Sequence, residues 1–273
     1  MSAGDPLSFP VDPLGFLTPD AIDLSTLRVG WTEDFGCCDV DANIRALFRE
    51  RVAAIAPMFQ SCEPVRFDLG DVHRCFDVIR AESFVAGMRD AYARDPASLG
   101  PNTRANYELG AAMSLADCAW AQAEQTRIFK RFQAAFANYD VILSPTTPVS
   151  PFPWSELYAT HIDGRTQENY YRWLALTYVV TLTTHPALSL PCGVDQAGMP
   201  FGLQIVGPFH GDRKTLAVAH ALEQAFDVSA TLRRPRPDLA KLAQPTPALT
   251  SIVTAPPVFD AANNTGGTGT SAV

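Results

Sequence analysis

Lysine is scarce in this chain: Lys130, Lys214 and Lys241 are the only three in 273 residues. No two serines are adjacent, the sole Gly-Gly pair is Gly266-Gly267, and no Gly-x-Ser-x-Gly elbow occurs. The last absence removes the central turn of an α/β-hydrolase. Lysines and arginines form no stripe, and with a net charge of -8 the chain has no electrostatic grip on phosphate backbones, so nucleic acid is excluded as an expected partner. The longest apolar run, Trp173 to Leu182, is interrupted by threonines. It falls far below the roughly 18 residues that a membrane-spanning helix needs. The first 25 residues carry Asp5, Asp12, Asp20, Asp23 and four prolines with no apolar core, which is not the pattern of a secretory signal. Six cysteines, at 37, 38, 62, 75, 118 and 192, follow no disulfide-framework spacing. Buried reduced thiols and a cytoplasmic location are the corresponding expectations.

What is present is a globular composition, 47% hydrophobic and 18% charged, enough for a large core. Residues 1–25 read as an extended connector, 26–232 as the folded region, and 233–273 as a mostly disordered tail dominated by Pro, Thr and Gly. Leu27 to Trp31 reads as a strand, followed by a loop and a helix capped by Asp39 that carries Val40, Ile44, Leu47, Phe48, Val52 and Ile55. Val65-Arg66-Phe67 suggests a second strand, and Asp71 opens a helix through Phe76, Ile79, Phe84 and Met88. A long helix is expected from Thr103 to Phe136, with Leu109, Met113, Trp120, Ile128, Phe132 and Phe136 inward.

Tyr139 to Leu143 reads as a strand covered on both faces, and a rigid loop with four prolines, Ser144 to Pro153, follows it. Residues 155–167 read as an exposed loop and Tyr170 to Thr183 as a buried helix. Ala187 to Leu190 and Phe201 to Val206 alternate with period two about an Asp195-Gln196-Ala197-Gly198 turn, a hairpin signal. Asp212 then caps a helix with Leu216, Ala219, Leu222 and Phe226 as its stripe. Strands alternating with helices, plus one hairpin, predict a layered α/β/α fold with a mixed sheet. Functional residues are expected on the loops after the strand C-terminal ends.

Three segments, Tyr139 to Phe152 (YDVILSPTTPVSPF), His185 to Gly193 (HPALSLPCG) and Gly198 to Pro208 (GMPFGLQIVGP), together resemble the C-terminal half of the amidase signature family, in that order and at similar spacing. The likeness extends over about residues 5–228. It implies a serine hydrolase of carboxamides that uses a serine nucleophile, a second serine in a cis peptide and a lysine base. That machinery sits in a glycine- and serine-rich segment upstream of the matched region, and nothing in this chain corresponds to it. The expectation is that the chain begins where the catalytic half would end.

Serine activation needs an adjacent base and preorganised oxyanion donors, so the lone chain is expected to be inactive, with no catalytic residues of its own. A small-molecule amide is the expected substrate if a companion chain carrying the catalytic half complements it. The alternatives are a non-catalytic interaction module and a truncated gene product. No cofactor is implied. Cys37-Cys38 as a reactive thiol pair and Cys62, His73 and Cys75 as a zinc site both read less well than packing roles.

The candidate substrate-lining residues are Thr146, Thr147, Trp173 and His185. Each has a structural counter-reading: the threonines as turn caps, Trp173 with Tyr170 as core, and His185 as a strand-start residue.

Overall fold

The computed structural model describes residues 11–153 and 156–245. Leading into the sheet, residues 11–27 form two short 3-10 turns, each opened by an aspartate that accepts from a backbone N–H two residues on: Asp12 from Leu14 and Asp23 from Ser25. The elements that follow are β1 (Arg28–Trp31), α1 (Ala42–Ile55), β2 (Ser61–Pro64), α2 (Val72–Arg94), α3 (Pro101–Ala111) and α4 (Leu115–Gln133). After them come β3 (Val141–Pro145), β4 (His161–Ile162), β5 (Arg165–Thr166), α5 (Ala175–Thr183), β6 (Ala187–Val194), β7 (Pro200–Val206), α6 (Asp212–Asp227) and α7 (Leu239–Leu242).

Five strands form one mixed sheet in the order β2-β1-β3-β7-β6. β1 runs parallel to β2 and β3, β7 is antiparallel to β3, and β6 is antiparallel to β7. On one face lies α1, where Phe48 meets Trp31 edge-on at 5.9 Å. α6 is in the same layer, for Gly193 at the end of β6 is approached by both the Arg51 guanidinium of α1 and the Thr231 carbonyl just past α6. On the other face lies α5, whose Leu176 carbonyl accepts from Gln204 of β7, with α4 beyond it through Gln125 to the Leu182 carbonyl. The α/β/α layering expected from the alternation is therefore present. β3 is buried along its whole length, as a strand covered on both faces must be.

Several boundaries differ from expectation, each for a local reason. Asp39 does not cap α1; its carboxylate is taken by Arg165 (2.9 Å) and Gln167 (3.3 Å), and the helix starts at Ala42 after Asp41. The second strand is Ser61–Pro64 rather than Val65 to Phe67, because Phe67 turns inward to stack on Phe132 at 5.1 Å. In α2 the buried stripe is Val72, Cys75, Val78 and Ala81, with Phe76 and Ile79 packed beside it. The helix expected over Thr103 to Phe136 is two: Ser114 and Asp117 form a reciprocal capping box that starts α4 afresh, leaving Leu109 exposed.

The closeness of α2 and α3 rests on Gly110. A Cβ there would fall 2.5 Å from the Ala81 carbonyl oxygen. The third strand begins at Val141, two residues later than expected, because Asp140 is drawn into the ladder's end: it accepts from the Arg28 N–H (2.9 Å) and from Lys214 (2.7 Å). Burial alone would raise its pKa, but these two donors outweigh it and hold the carboxyl below the usual range.

The region 155–167 is not simply an exposed loop. β4 and β5 form a small hairpin, and Ala159 and Ile162 are buried against Val149 with Phe152 and Trp173 alongside. The helix expected over Tyr170 to Thr183 begins only at Ala175, after a 3-10 turn. In α6 the buried residues include Thr215, Val218, Ala219, Leu222 and Phe226, whereas Leu216, expected in the stripe, is exposed. Of the expected tail, residues 233–245 include the exposed turn of α7; residues 246–273, like 1–10 of the connector, lie outside the described residues.

Candidate functional site

The hairpin and the proline-rich loop after β3 meet at one end of the sheet. Register places Ser144 opposite Gln204 and Gln204 opposite Ser189, and the Thr146 N–H donates to the Gly202 carbonyl (3.0 Å). Residues paired directly across a sheet share a face, so Thr146, Gly202 and Ser189 sit side by side. The Thr146 and Ser189 hydroxyls share a hydrogen bond of 2.7 Å. Gly202 is required between them, since a Cβ would lie 2.9 Å from both hydroxyl oxygens.

The loop is tied to the hairpin a second time. Ser150 donates to Asp195 (2.7 Å), whose other carboxylate oxygen accepts the Ala197 and Met199 N–H groups of the turn. Burial pushes that carboxyl up, and the Ser150 and backbone donors more than offset it, leaving the pKa lowered. The loop is thus fixed by side chains as well as by proline.

Of the four candidate residues, the structure brings three to the proline-rich loop. Thr146 forms the hydroxyl pair with Ser189; Thr147, exposed, bends back to donate to the Val149 carbonyl (3.1 Å), the geometry of a turn. Trp173 packs edge-on against Phe152 of the same loop at 5.6 Å and donates to the Tyr170 carbonyl. His185 stands apart. It precedes β6, beyond the Ala187–Val206 pair, at the end of the sheet opposite Thr146. It is buried, bonded to Gln133 and the Thr183 carbonyl (2.7 Å each), and ringed by Phe129, Phe132, Phe136 and Phe209. Burial holds its pKa below the ordinary value, so the ring is neutral at pH 7.

Ser189 is not among the sequence candidates. The alternation along 187–190 puts it on the small-residue face, but only the register shows that Thr146 shares it. A second polar group missed by sequence lies under α5. Arg172 donates to Tyr178 (2.9 Å), Asp77 (2.9 Å) and Glu168 (3.0 Å); Tyr171 donates to Asp77, and His73 bridges Tyr178 to the Cys37 carbonyl. Every one of these bonds joins protein groups, and the cluster ties α2 to α5.

Four of the six thiols are poor nucleophiles. Burial raises Cys38, and it pushes Cys75 and Cys192 up to about 12 and Cys62 to about 11. Three of the six, Cys37, Cys62 and Cys118, are only half-buried, so the expectation of buried thiols holds for Cys38, Cys75 and Cys192. Cys75 donates to the Ala121 carbonyl, away from Cys62, and among the described residues no metal-holding cluster occurs. Lys214 is committed to Asp140, and among the described residues no serine hydroxyl is hydrogen-bonded to a lysine.

The sequence profile of the amidase family matches residues 6–216. The chain belongs to that family. This amidase-family chain is 36% identical over 179 residues to a glutamyl-tRNA(Gln) amidotransferase protein of Synechococcus elongatus, a match covering 63% of this chain and 35% of that one. The corresponding amidotransferase protein of Synechococcus sp. strain CC9902 is 31% identical over 214 residues, 72% of this chain and 42% of its own. Among solved structures, an amidase superposes with a TM-score of 0.68 at 22% identity, over 77% of this chain and 47% of that one. A bacterial aryl acylamidase of the amidase signature family gives 0.66 at 20%, over 75% and 44%. The amidase-family chain therefore carries a partial domain, spanning about a third to a half of the length of the relatives it matches. Among its described residues, no helix is long and apolar enough to cross a membrane.

Proposed function

We propose that this chain is the C-terminal portion of an amidase-type hydrolase, acting on carboxamide C–N bonds only when the rest of the domain is supplied, and inactive alone. One observation carries this reading: the family scaffold is present over residues 6–216, yet no serine in the described residues is hydrogen-bonded to a lysine. Breaking an amide requires an activated nucleophile and donors preorganised for the tetrahedral oxyanion. The neutral, protein-bonded His185 and the high-pKa thiols supply neither.

In the complemented enzyme, the Thr146–Ser189 hydroxyl pair and the loop behind it form a wall of the substrate cleft. Thr146 offers the hydrogen-bonding hydroxyl, and Trp173 with Phe152 offers apolar surface. The substrate is a small amide, no cofactor takes part, and the cytoplasm is the compartment, in keeping with six unpaired thiols. The test is an amide-hydrolysis assay on the purified chain with simple aryl and aliphatic amides. The reading expects no turnover above buffer; turnover abolished by a serine-directed reagent would overturn it.

A further inference from the structure

β6 closes one side of the sheet, and among the described residues no strand pairs with its outer edge. The Gly207 N–H donates to the Pro186 carbonyl, so residues 186, 188 and 190 turn their backbone groups toward β7. By alternation Ala187, Ser189 and Pro191 turn theirs outward. Thr146 bonding to the Gly202 carbonyl fixes the same phase from the other side of β7. All three outward residues are exposed. Pro191 removes one donor and a register shift follows it, so the free run is Ala187 to Pro191.

Sheet edges facing water are ordinarily short, charged or covered. This strand is eight residues long, carries no charge and, among the described residues, has no strand on its outer side. From Trp173 to Val194 the chain holds no Asp, Glu, Lys or Arg. Beside the first half of β6 opens a cavity of about 250 Å³, lined by Pro186, Ala187 and Leu188, by Phe16 of the first 3-10 turn, and by Asp212, Thr215 and Leu216 of α6. Leu216 is the residue that leaves the buried stripe of α6, and it is 38% exposed. Phe16 and Leu216, both exposed, give this rim an apolar surface next to the unpaired strand.

The relatives bear on what pairs with that strand. The chain spans about a third to a half of their length, so more than half of each relative lies outside the match. We infer that the outer edge of β6, Ala187 to Pro191 with the Leu216 cavity, is the seam along which the complementary part of an amidase-family domain docks by adding a strand. Main-chain hydrogen bonds give such an addition its affinity, and alternate side chains give it register. The seam puts that part directly beside the Thr146–Ser189 pair. This inference rests on the proposed function and places its partner.

The test co-expresses the full chain with the portion of the Synechococcus elongatus amidotransferase protein that precedes the aligned region, tagged for purification. The wild-type chain co-purifies with it in equal amount. Ser189→Pro, which deletes one outward N–H and no bond to β7, lowers the recovered complex at least tenfold, and so does Ser189→Lys, which keeps the N–H but places a charge at the edge. Glu63→Lys on the opposite edge leaves recovery unchanged. Melting temperatures of the lone variants, within a few degrees of wild type, show that they are folded. Complex formation that survives both Ser189 variants, or a lone chain that pairs with a second copy through β6 in place of the companion, would overturn the seam while leaving the proposed function standing. No complex with the wild-type chain would overturn both.

Discussion

On the β2 side the sheet stops after four residues, at Glu63 and Pro64, both exposed. On the β6 side it stops at an eight-residue strand without a charge. Both strands lie at the rim of one sheet, and both have an inner neighbour buried in the core, so burial alone does not distinguish them. Composition does. Each strand holds a proline, but a charge at the end of the short one discourages further pairing, whereas small and hydroxyl side chains ahead of Pro191 on the longer one leave room for a neighbour. On the inferred docking, the β2 rim is a finished surface and the β6 rim is where the complementary part adds its strand.

The comparison sharpens most at two adjacent residues of β6. Leu190 is buried toward the core and Ser189 points to the open side. Leu190→Ala should cost about 2–5 kcal/mol of stability in denaturant unfolding, the usual range for a buried leucine. Ser189→Ala should stay within about 0.5 kcal/mol, as a surface change does. Equal losses would show that the outer side of β6 is already packed, and the contrast between the rims would collapse.

Next in size is Gly202→Val. Its side chain must displace the Thr146 and Ser189 hydroxyls, 2.9 Å from a Cβ at that position. Overpacking of this kind costs about 1–3 kcal/mol. On the proposed placement of the displaced pair in the substrate cleft, activity of the reconstituted enzyme should fall further than the shift in its melting temperature explains; a fall in melting alone would return Thr146 to a purely structural role.

The smallest effect concerns pH. His185 and His73 both have pKa values lowered in the folded chain by burial, in His73 with the Arg172 charge adding to it. The unfolded chain takes up protons first, near the ordinary histidine pKa of about 6.5. Stability is therefore full above that value and declines as pH falls from it toward the folded pKa values. Thermal melts at pH 7.5 and 5.5 should show the loss, and His185→Gln should reduce the slope. A melting temperature that rises on acidification would contradict the buried neutral rings.

How much of this was legible in the sequence depended on whether the signal was local. Period-two alternation along 187–190 and 201–206 is written in adjacent residues, and the hairpin came out with its turn correctly at Asp195. Strand extent did not, because Pro191 looked like a terminator, whereas its missing N–H costs nothing on the outward side. The Ser114–Asp117 box is present in the sequence, but apolar residues at helical spacing on both sides of it read as one stripe. The Leu216 misassignment has a different origin: the residue is apolar for the sake of a surface, and periodicity cannot tell that from a core.

For the site, Thr146 could be placed on its loop from sequence, but not opposite Ser189, since that adjacency depends on the register of three strands. His185 reads from its own segment as either a substrate-lining or a strand-start residue; the four phenylalanines around it come from α4, from the turn that continues it and from the turn after β7, all outside that segment.

Hydrogen exchange read peptide by peptide compares the two rims in a single experiment. With the Synechococcus elongatus portion bound, the peptide covering residues 185–192 should gain protection by at least tenfold in exchange rate, while the peptide covering 60–66 should exchange as in the lone chain. Protection confined to 60–66, with 185–192 unchanged, would contradict the account.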